Sequence, residues 1–198
     1  MFKIAITGGI GSGKSTVANI LKAFGYKCFS ADEIYNNLLK KESFVVELSK
    51  FMGVSPIIID SRAVLDKKAI SELVFADKNE LKKLNGYTHP IIMKVLSDGM
   101  SRLSDERLIF AEVPLLFEEG YDKLFDYIFV INRDFGARLT DTMSRDGKSE
   151  EEVKRVINAQ FDYRKLPNSD KIIVINNNGS LDELKRRLNE IISAINKI

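Results

Sequence analysis

The sequence predicts an α/β fold in which a five-stranded parallel sheet is covered by helices in three layers. Three observations carry this. Short apolar runs that read as strands begin near residues 2, 26, 108, 127 and 171, and the stretches between them are mainly helical in period, as crossover connections of a parallel sheet require. A glycine-rich stretch, Gly8-Gly9-Ile10-Gly11-Ser12-Gly13-Lys14-Ser15, joins the first strand to the first helix. Between the second and third strands, residues 42–102 make one long helical excursion, which reads as an inserted subdomain.

Taken in order, Phe2 to Thr7 is the first strand, with Lys3-Ile4-Ala5-Ile6 as its buried pattern. The loop after it reads as a phosphate-binding loop: Gly, four free positions, then Gly, Lys and Ser. Glycines let successive N–H groups turn inward toward phosphate oxygens, Lys14 reaches the β- and γ-phosphates, and the Ser15 hydroxyl is placed for Mg²⁺. Val17, Ala18, Ile20, Leu21 and Phe24 recur at helical spacing, so the positive end of a helix faces the same phosphates. The second strand, Tyr26 to Phe29, delivers Ser30, Ala31, Asp32 and Glu33 at its C-terminal end, where parallel sheets place ligands. Asp32 reads both as the N-cap of a helix over Ile34 to Leu39 and as a group facing a ligand.

Within the excursion a polar break covers Gly53 to Asp60, Asp66 is an expected N-cap, and His89-Pro90 is expected to interrupt the helical pattern. His89, the single histidine, is structural by default, with a ligand-facing role as the alternative. Leu108 to Val113 is the next strand, ending in Pro114, Leu115, Leu116, Phe117 and Glu118, with Glu112 placed to hold a metal-bound water. Tyr127 to Ile131 follows, then a helix from Phe135 to Arg145 that Asp146-Gly147-Lys148 breaks. Glu150, Glu151 and Glu152 suit the start of the next helix, which runs toward Gln160. Lys171 to Ile175 is the last strand, and Ser180 caps a terminal amphipathic helix. Arg138 and Arg145, two turns apart on one helix face, with Arg155 beyond, read either as a solvated basic face or as a lid that closes on phosphates.

The 198 residues suffice for one domain with an insertion. Lys and Arg number 30 against 28 Asp and Glu, and the net charge of +2 gives no reason to expect nucleic-acid or anionic-membrane binding. Cys28 is the only cysteine, which excludes a disulfide within the chain and fits a reducing cytosol. No apolar run is long enough to span a bilayer.

With those residues in place, the sequence resembles the dephospho-coenzyme A kinases from Ile6 to Leu184. The resemblance rests on the loop Thr7 to Thr16, on Ala31-Asp32-Glu33-Ile34, on His89-Pro90, on Val113-Pro114-Leu115-Leu116-Phe117-Glu118, and on Arg145-Asp146-Gly147 through Gln160. It implies transfer of the γ-phosphoryl of ATP to the ribose 3′-hydroxyl of dephospho-coenzyme A, with Mg²⁺, by a cytoplasmic monomer. It implies one P-loop kinase domain over 1–198, with a substrate-binding insertion over about 42–103 and a lid over about 134–160. ATP contacts fall on Gly9, Ile10, Gly11, Ser12, Gly13, Lys14, Ser15, Thr16 and Arg145. The acceptor falls to Thr7, Asp32, His89, Pro114, Leu115, Leu116, Phe117 and Glu118, the metal to Ser15, and catalysis to Asp32, Lys14 and Arg145. Family members often carry Asp where Ser30 stands, Arg where Lys67 stands, and Arg near Asp141, whose place Arg138 is expected to take. Two rivals share the loop: another small-molecule P-loop kinase, and a GTP-dependent switch, which is disfavoured because no Asn-Lys-x-Asp guanine-reading segment occurs.

Overall fold

The computed structural model describes residues 1–198. In chain order the elements are β1 (Phe2–Thr7), α1 (Lys14–Ala23), β2 (Lys27–Ser30), α2 (Ala31–Leu38), α3 (Glu42–Met52), β3 (Ile57–Ile59), β4 (Arg62–Val64), α4 (Lys67–Ala76), α5 (Lys78–Ser101), β5 (Leu108–Glu112), β6 (Tyr127–Asn132), α6 (Phe135–Asp146), α7 (Glu150–Ala159), β7 (Ile172–Asn176) and α8 (Leu181–Ile195). Short 3₁₀ turns add Tyr121–Leu124 and Tyr163–Lys165. The chain forms two compact units, residues 1–28 with 104–198, and residues 29–103.

The sheet has the five strands that the apolar runs predict, in the order β2-β5-β1-β6-β7, which the runs themselves do not show. β1 lies in its middle, parallel to β5 with Ile6 opposite Glu112, and parallel to β6 with Thr7 opposite Val130. β7 extends β6 in parallel as far as Asn132 opposite Asn176. The C-terminal ends of these strands therefore come level with one another, and the loop leaving β1 stands among them. Its foundation is apolar. α1 buries Val17, Ala18, Ile20 and Leu21, and α8 buries Leu184, Leu188, Ile191, Ile192 and Ile195, in one cluster with Ile4, Ile6, Phe110, Phe129, Ile131 and Ile175. Fully burying each such side chain stabilises the fold by about 1.5–3 kcal/mol relative to leaving it in water.

The second unit is helical around its own core, in which Phe44, Val45, Leu48 and Met52 of α3 meet Leu38, Leu65, Ile70 and Ile92. Asp66 caps α4 as expected, its side chain accepting from Ala69 N at 2.9 Å. Two expectations fail here, and a third stretch holds an element that the pattern does not show. Asp32 does not cap α2. The helix starts at Ala31, earlier than its apolar periodicity shows, so Ser30 is the cap and accepts from Glu33 N at 3.3 Å. Asp32 stands in the first turn instead, where the helix dipole favours a carboxylate.

His89-Pro90 does not interrupt the helix, because α5 runs through it for 24 residues. Burial of Ile92, Met93, Leu96 and Met100 along one side outweighs the one backbone bond that Pro90 removes. The polar break around 53–60 ends in the antiparallel hairpin β3–β4. Asp60 and Ser61 both have positive φ (47° and 62°), a tight primed turn made without the glycine that would have announced it. Glu42 Oε1 ties the hairpin to α3 by accepting from Ala63 N at 3.0 Å.

Candidate active site

The site is the loop between β1 and α1, at the level where β1, β5, β6 and β7 end. Glycine is required at Gly11, whose φ is 73°, and where a Cβ would lie 2.7 Å from both the Arg138 carbonyl and the Thr142 hydroxyl. At Gly9 the Arg138 guanidinium fills the space a side chain would take. The loop glycines thus serve two ends, bending the backbone and admitting α6 against it.

Each backbone turn of the loop has a holder. Lys14 Nζ donates to the carbonyls of Gly8 (3.0 Å) and Gly9 (3.1 Å). Arg138 Nε donates to Ile10 O at 2.8 Å, and Gln160 Oε1 accepts from Ile10 N at 2.8 Å. Asn177 Nδ2, just past β7, donates to Ser12 O at 2.9 Å. Ser15 Oγ donates to Glu112 Oε1 at 2.8 Å, so a hydroxyl at the start of α1 meets a buried carboxylate at the end of β5. A hydroxyl and a carboxylate beside a phosphate cradle suit Mg²⁺, which takes few protein ligands and completes its shell with phosphate oxygens and water. Ser12, almost wholly buried, has a hydroxyl with no hydrogen-bond partner. A cavity of ≈ 290 Å³ opens beside Thr16, lined also by Arg133, Asp134, Asn177, Asn178 and Leu181.

The arginines divide. Burial lowers the pKa of the Arg138 guanidinium, which nonetheless stays charged at any physiological pH. Arg145 is exposed and turned to its neighbour, Nε and Nη2 donating to the two carboxylate oxygens of Asp146 at 2.7 and 2.9 Å. That fork raises the Arg145 pKa and lowers that of Asp146. Asp141 pairs with Arg133 at 2.6 Å. The predicted phosphate-gripping fork is therefore turned to Asp146, and Arg138 is the arginine that holds the loop.

Beyond β5, Thr7 is fully buried, its hydroxyl donating to Pro114 O at 3.3 Å and lying 3.5 Å from the Tyr163 phenol. Burial pushes Tyr163 up to about 12. Leu116 is fully buried, whereas Pro114, Leu115, Phe117 and Glu118 retain surface. Phe117 stacks on Phe161 at 5.0 Å, and Glu118 Oε1 accepts from Phe161 N at 2.9 Å. In the second unit Asp32 is exposed, His89 is half-buried within α5, and Lys67 lines a cavity of ≈ 230 Å³ with Tyr35, Asn36, Leu65 and Ile70. Gln160 and Asn177 both hold the loop, a role that the sequence assigns to neither: Gln160 only closes the helical stretch after Glu150, Asn177 is one of three asparagines after the last predicted strand, and only topology brings them to the loop.

Strand, glycine loop, helix and the Ser15–Glu112 pair together define a P-loop phosphotransferase. A family model described as dephospho-CoA kinase matches residues 2–183. The chain belongs to the dephospho-CoA kinase family, and its activity is the ATP-dependent phosphorylation of dephospho-coenzyme A in coenzyme A biosynthesis. A dephospho-CoA kinase of Fusobacterium nucleatum is 35% identical over 196 residues, covering 97% of each chain. The solved dephospho-CoA kinase of Campylobacter jejuni superimposes with a TM-score of 0.71 at 30% identity, over 98% of this chain and 97% of its own. Shikimate kinase of Acinetobacter baumannii, 14% identical with a TM-score of 0.54 over 98% of this chain and 94% of its own, shares the fold.

Proposed function

We propose that the chain transfers the γ-phosphoryl of ATP to the ribose 3′-hydroxyl of dephospho-coenzyme A by positioning and charge neutralisation, with Lys14, Ser15 and Asp32 in the central roles. The observation that carries this is the Ser15–Glu112 hydrogen bond at 2.8 Å beside the glycine loop. Phosphoryl transfer asks for aligned oxygens and positive charge around the γ-phosphoryl, and little covalent chemistry. The loop amides and Lys14 hold the donor phosphates. Ser15, with Glu112 behind it, would hold Mg²⁺, which when bound neutralises charge on the β- and γ-oxygens.

Asp32, in the first turn of α2, accepts the proton of the acceptor hydroxyl or orients that hydroxyl for attack. Thr7, His89, Pro114, Leu115, Phe117 and Glu118 contribute to the acceptor side. Arg145 reaches the phosphates by exchanging Asp146 for them, an exposed pair being a weak hold. The 134–160 segment serves as the lid and residues 42–103 carry acceptor contacts. A cytoplasmic monomer belongs to the same reading, supported by a lone cysteine that needs no oxidising compartment.

A coupled ADP-release assay over dephospho-coenzyme A, nucleoside monophosphates and shikimate, with ATP and GTP in turn, tests the proposal. Dephospho-coenzyme A with ATP is expected to give the highest kcat/KM, and Asp32→Asn to lower it about 10² to 10⁴-fold with ATP binding kept. A product phosphorylated elsewhere than the 3′-oxygen, or an Asp32→Asn enzyme at wild-type rate, overturns the acceptor assignment.

A further inference from the structure

We infer that Gln160 is a positioning residue for phosphoryl transfer, acting through the backbone of Ile10 at the apex of the phosphate loop. Gln160 follows the last turn of α7, and its Oε1 accepts from Ile10 N at 2.8 Å. Arg138, from α6, donates to the carbonyl of the same residue at 2.8 Å. Both backbone groups of Ile10 are thus held by side chains, one from each helix of the 134–160 segment. Ile10 lies between Gly9 and Gly11, residues of freely turning backbone, so these two bonds, together with those that Lys14 Nζ (3.1 Å) and Ser12 N (3.2 Å) donate to Gly9 O, fix the peptide planes on either side of it.

The stretch carrying Gln160 is itself braced. Phe161 N donates to Glu118 Oε1, the Phe161 ring stacks on Phe117, and the Tyr163 hydroxyl lies 3.5 Å from that of Thr7. A braced side chain transmits position, whereas one on a loose tail would only follow the loop. The residue type fits the place. A glutamine offers a hydrogen-bond acceptor with no charge, while a glutamate would accept the same bond and set a negative charge beside the phosphates. The inference rests on the assignment of Gly8 to Ser15 to the ATP phosphates.

The test uses the full chain with Gln160→Leu and Gln160→Glu, measuring kcat with dephospho-coenzyme A, the slower hydrolysis of ATP by water, ATP affinity by calorimetry, and Tm. In Gln160→Leu both kcat and hydrolysis are expected to fall about tenfold, which is about 1.4 kcal/mol and the worth of one hydrogen bond, while ATP affinity changes less than about threefold. Gln160→Glu is expected to recover most of kcat at saturating ATP but to bind ATP more weakly, the weakening growing as salt is lowered. Should Gln160→Leu not fold, the glutamate variant alone decides. Turnover within about twofold of wild type in Gln160→Leu, or a kcat in Gln160→Glu about tenfold or more below wild type at saturating ATP, overturns the inference. If the wild-type chain leaves dephospho-coenzyme A untouched, the proposed acceptor falls while the hydrolysis ratio still tests Gln160.

Discussion

Two arginines on α6 show how much a single side chain's partner decides. Arg138 donates to Ile10 O and covers Gly9, so it belongs to the loop before any nucleotide arrives. Arg145 spends its fork on exposed Asp146, a pair worth little in water and readily exchanged for phosphate. Arg138→Lys is expected to weaken ATP binding about three- to tenfold, because lysine cannot both donate to Ile10 O and fill the space over Gly9. Arg145→Lys is expected to leave ATP affinity within about twofold and to lower kcat, because the planar fork grips only in the closed complex. Calorimetric ATP binding beside kcat separates the two, and the reverse pattern would return Arg145 to the resting loop. From sequence, both residues lie on one helix face, and spacing alone ranks neither. The Ser30 cap was hidden for a similar reason: Ser30 and Asp32 are both good N-caps, and two residues of helix start decide between them.

Among the elements, the strands were the most legible, since buried parallel strands are continuous apolar runs and the glycine loop marks which strand carries the phosphates, whereas their order in the sheet came only with the fold. The hairpin β3–β4 and the unbroken α5 were not. Their causes, a glycine-free primed turn and a proline outweighed by burial, lie in tertiary packing. Packing also separates the helices by stability. α6 buries only Thr142 and α7 only Val153, whereas α8 buries five apolar residues. Amides of α6 and α7 are therefore expected to exchange hydrogen faster than those of α8, and to slow when an ATP analogue gives Arg138 and Arg145 a shared anion. Hydrogen exchange with mass spectrometry measures this directly. Equal rates in α6 with and without nucleotide would remove the lid role from the segment.

At the scale of the whole molecule, half-buried weak acids set an alkaline limit. Burial pushes Cys28 from 9.0 up to about 12 and Tyr163 from 10.0 up to about 12, and raises Tyr35 as well. The native state keeps these groups protonated where the unfolded chain has lost the protons, so their contribution is fully present below pH 9 and is lost as pH rises from about 9 toward 12. The urea midpoint is expected to decline over that window, and a Cys28→Ser, Tyr163→Phe double variant to decline less steeply. Identical slopes would mean that neither group is held protonated by the fold. The same burial makes Cys28 a poor nucleophile at neutral pH, since the thiolate is the reactive form.

The central place of β1 also has a consequence for how the protein is made. Its residues pair with Leu108–Glu112 on one side and with Tyr127–Val130 on the other, so β1, once outside the ribosome, has no neighbour of its own sheet on either side until roughly a hundred more residues follow. At translation rates of roughly 5–20 residues per second that wait lasts on the order of 5–20 s. Residues 29–103, with an apolar core of their own, emerge during it. The phosphate loop is thus made well before it can be assembled, and a nascent chain stalled before β6 would carry every loop residue from Gly8 to Ser15 while lacking one of the two strands that flank β1.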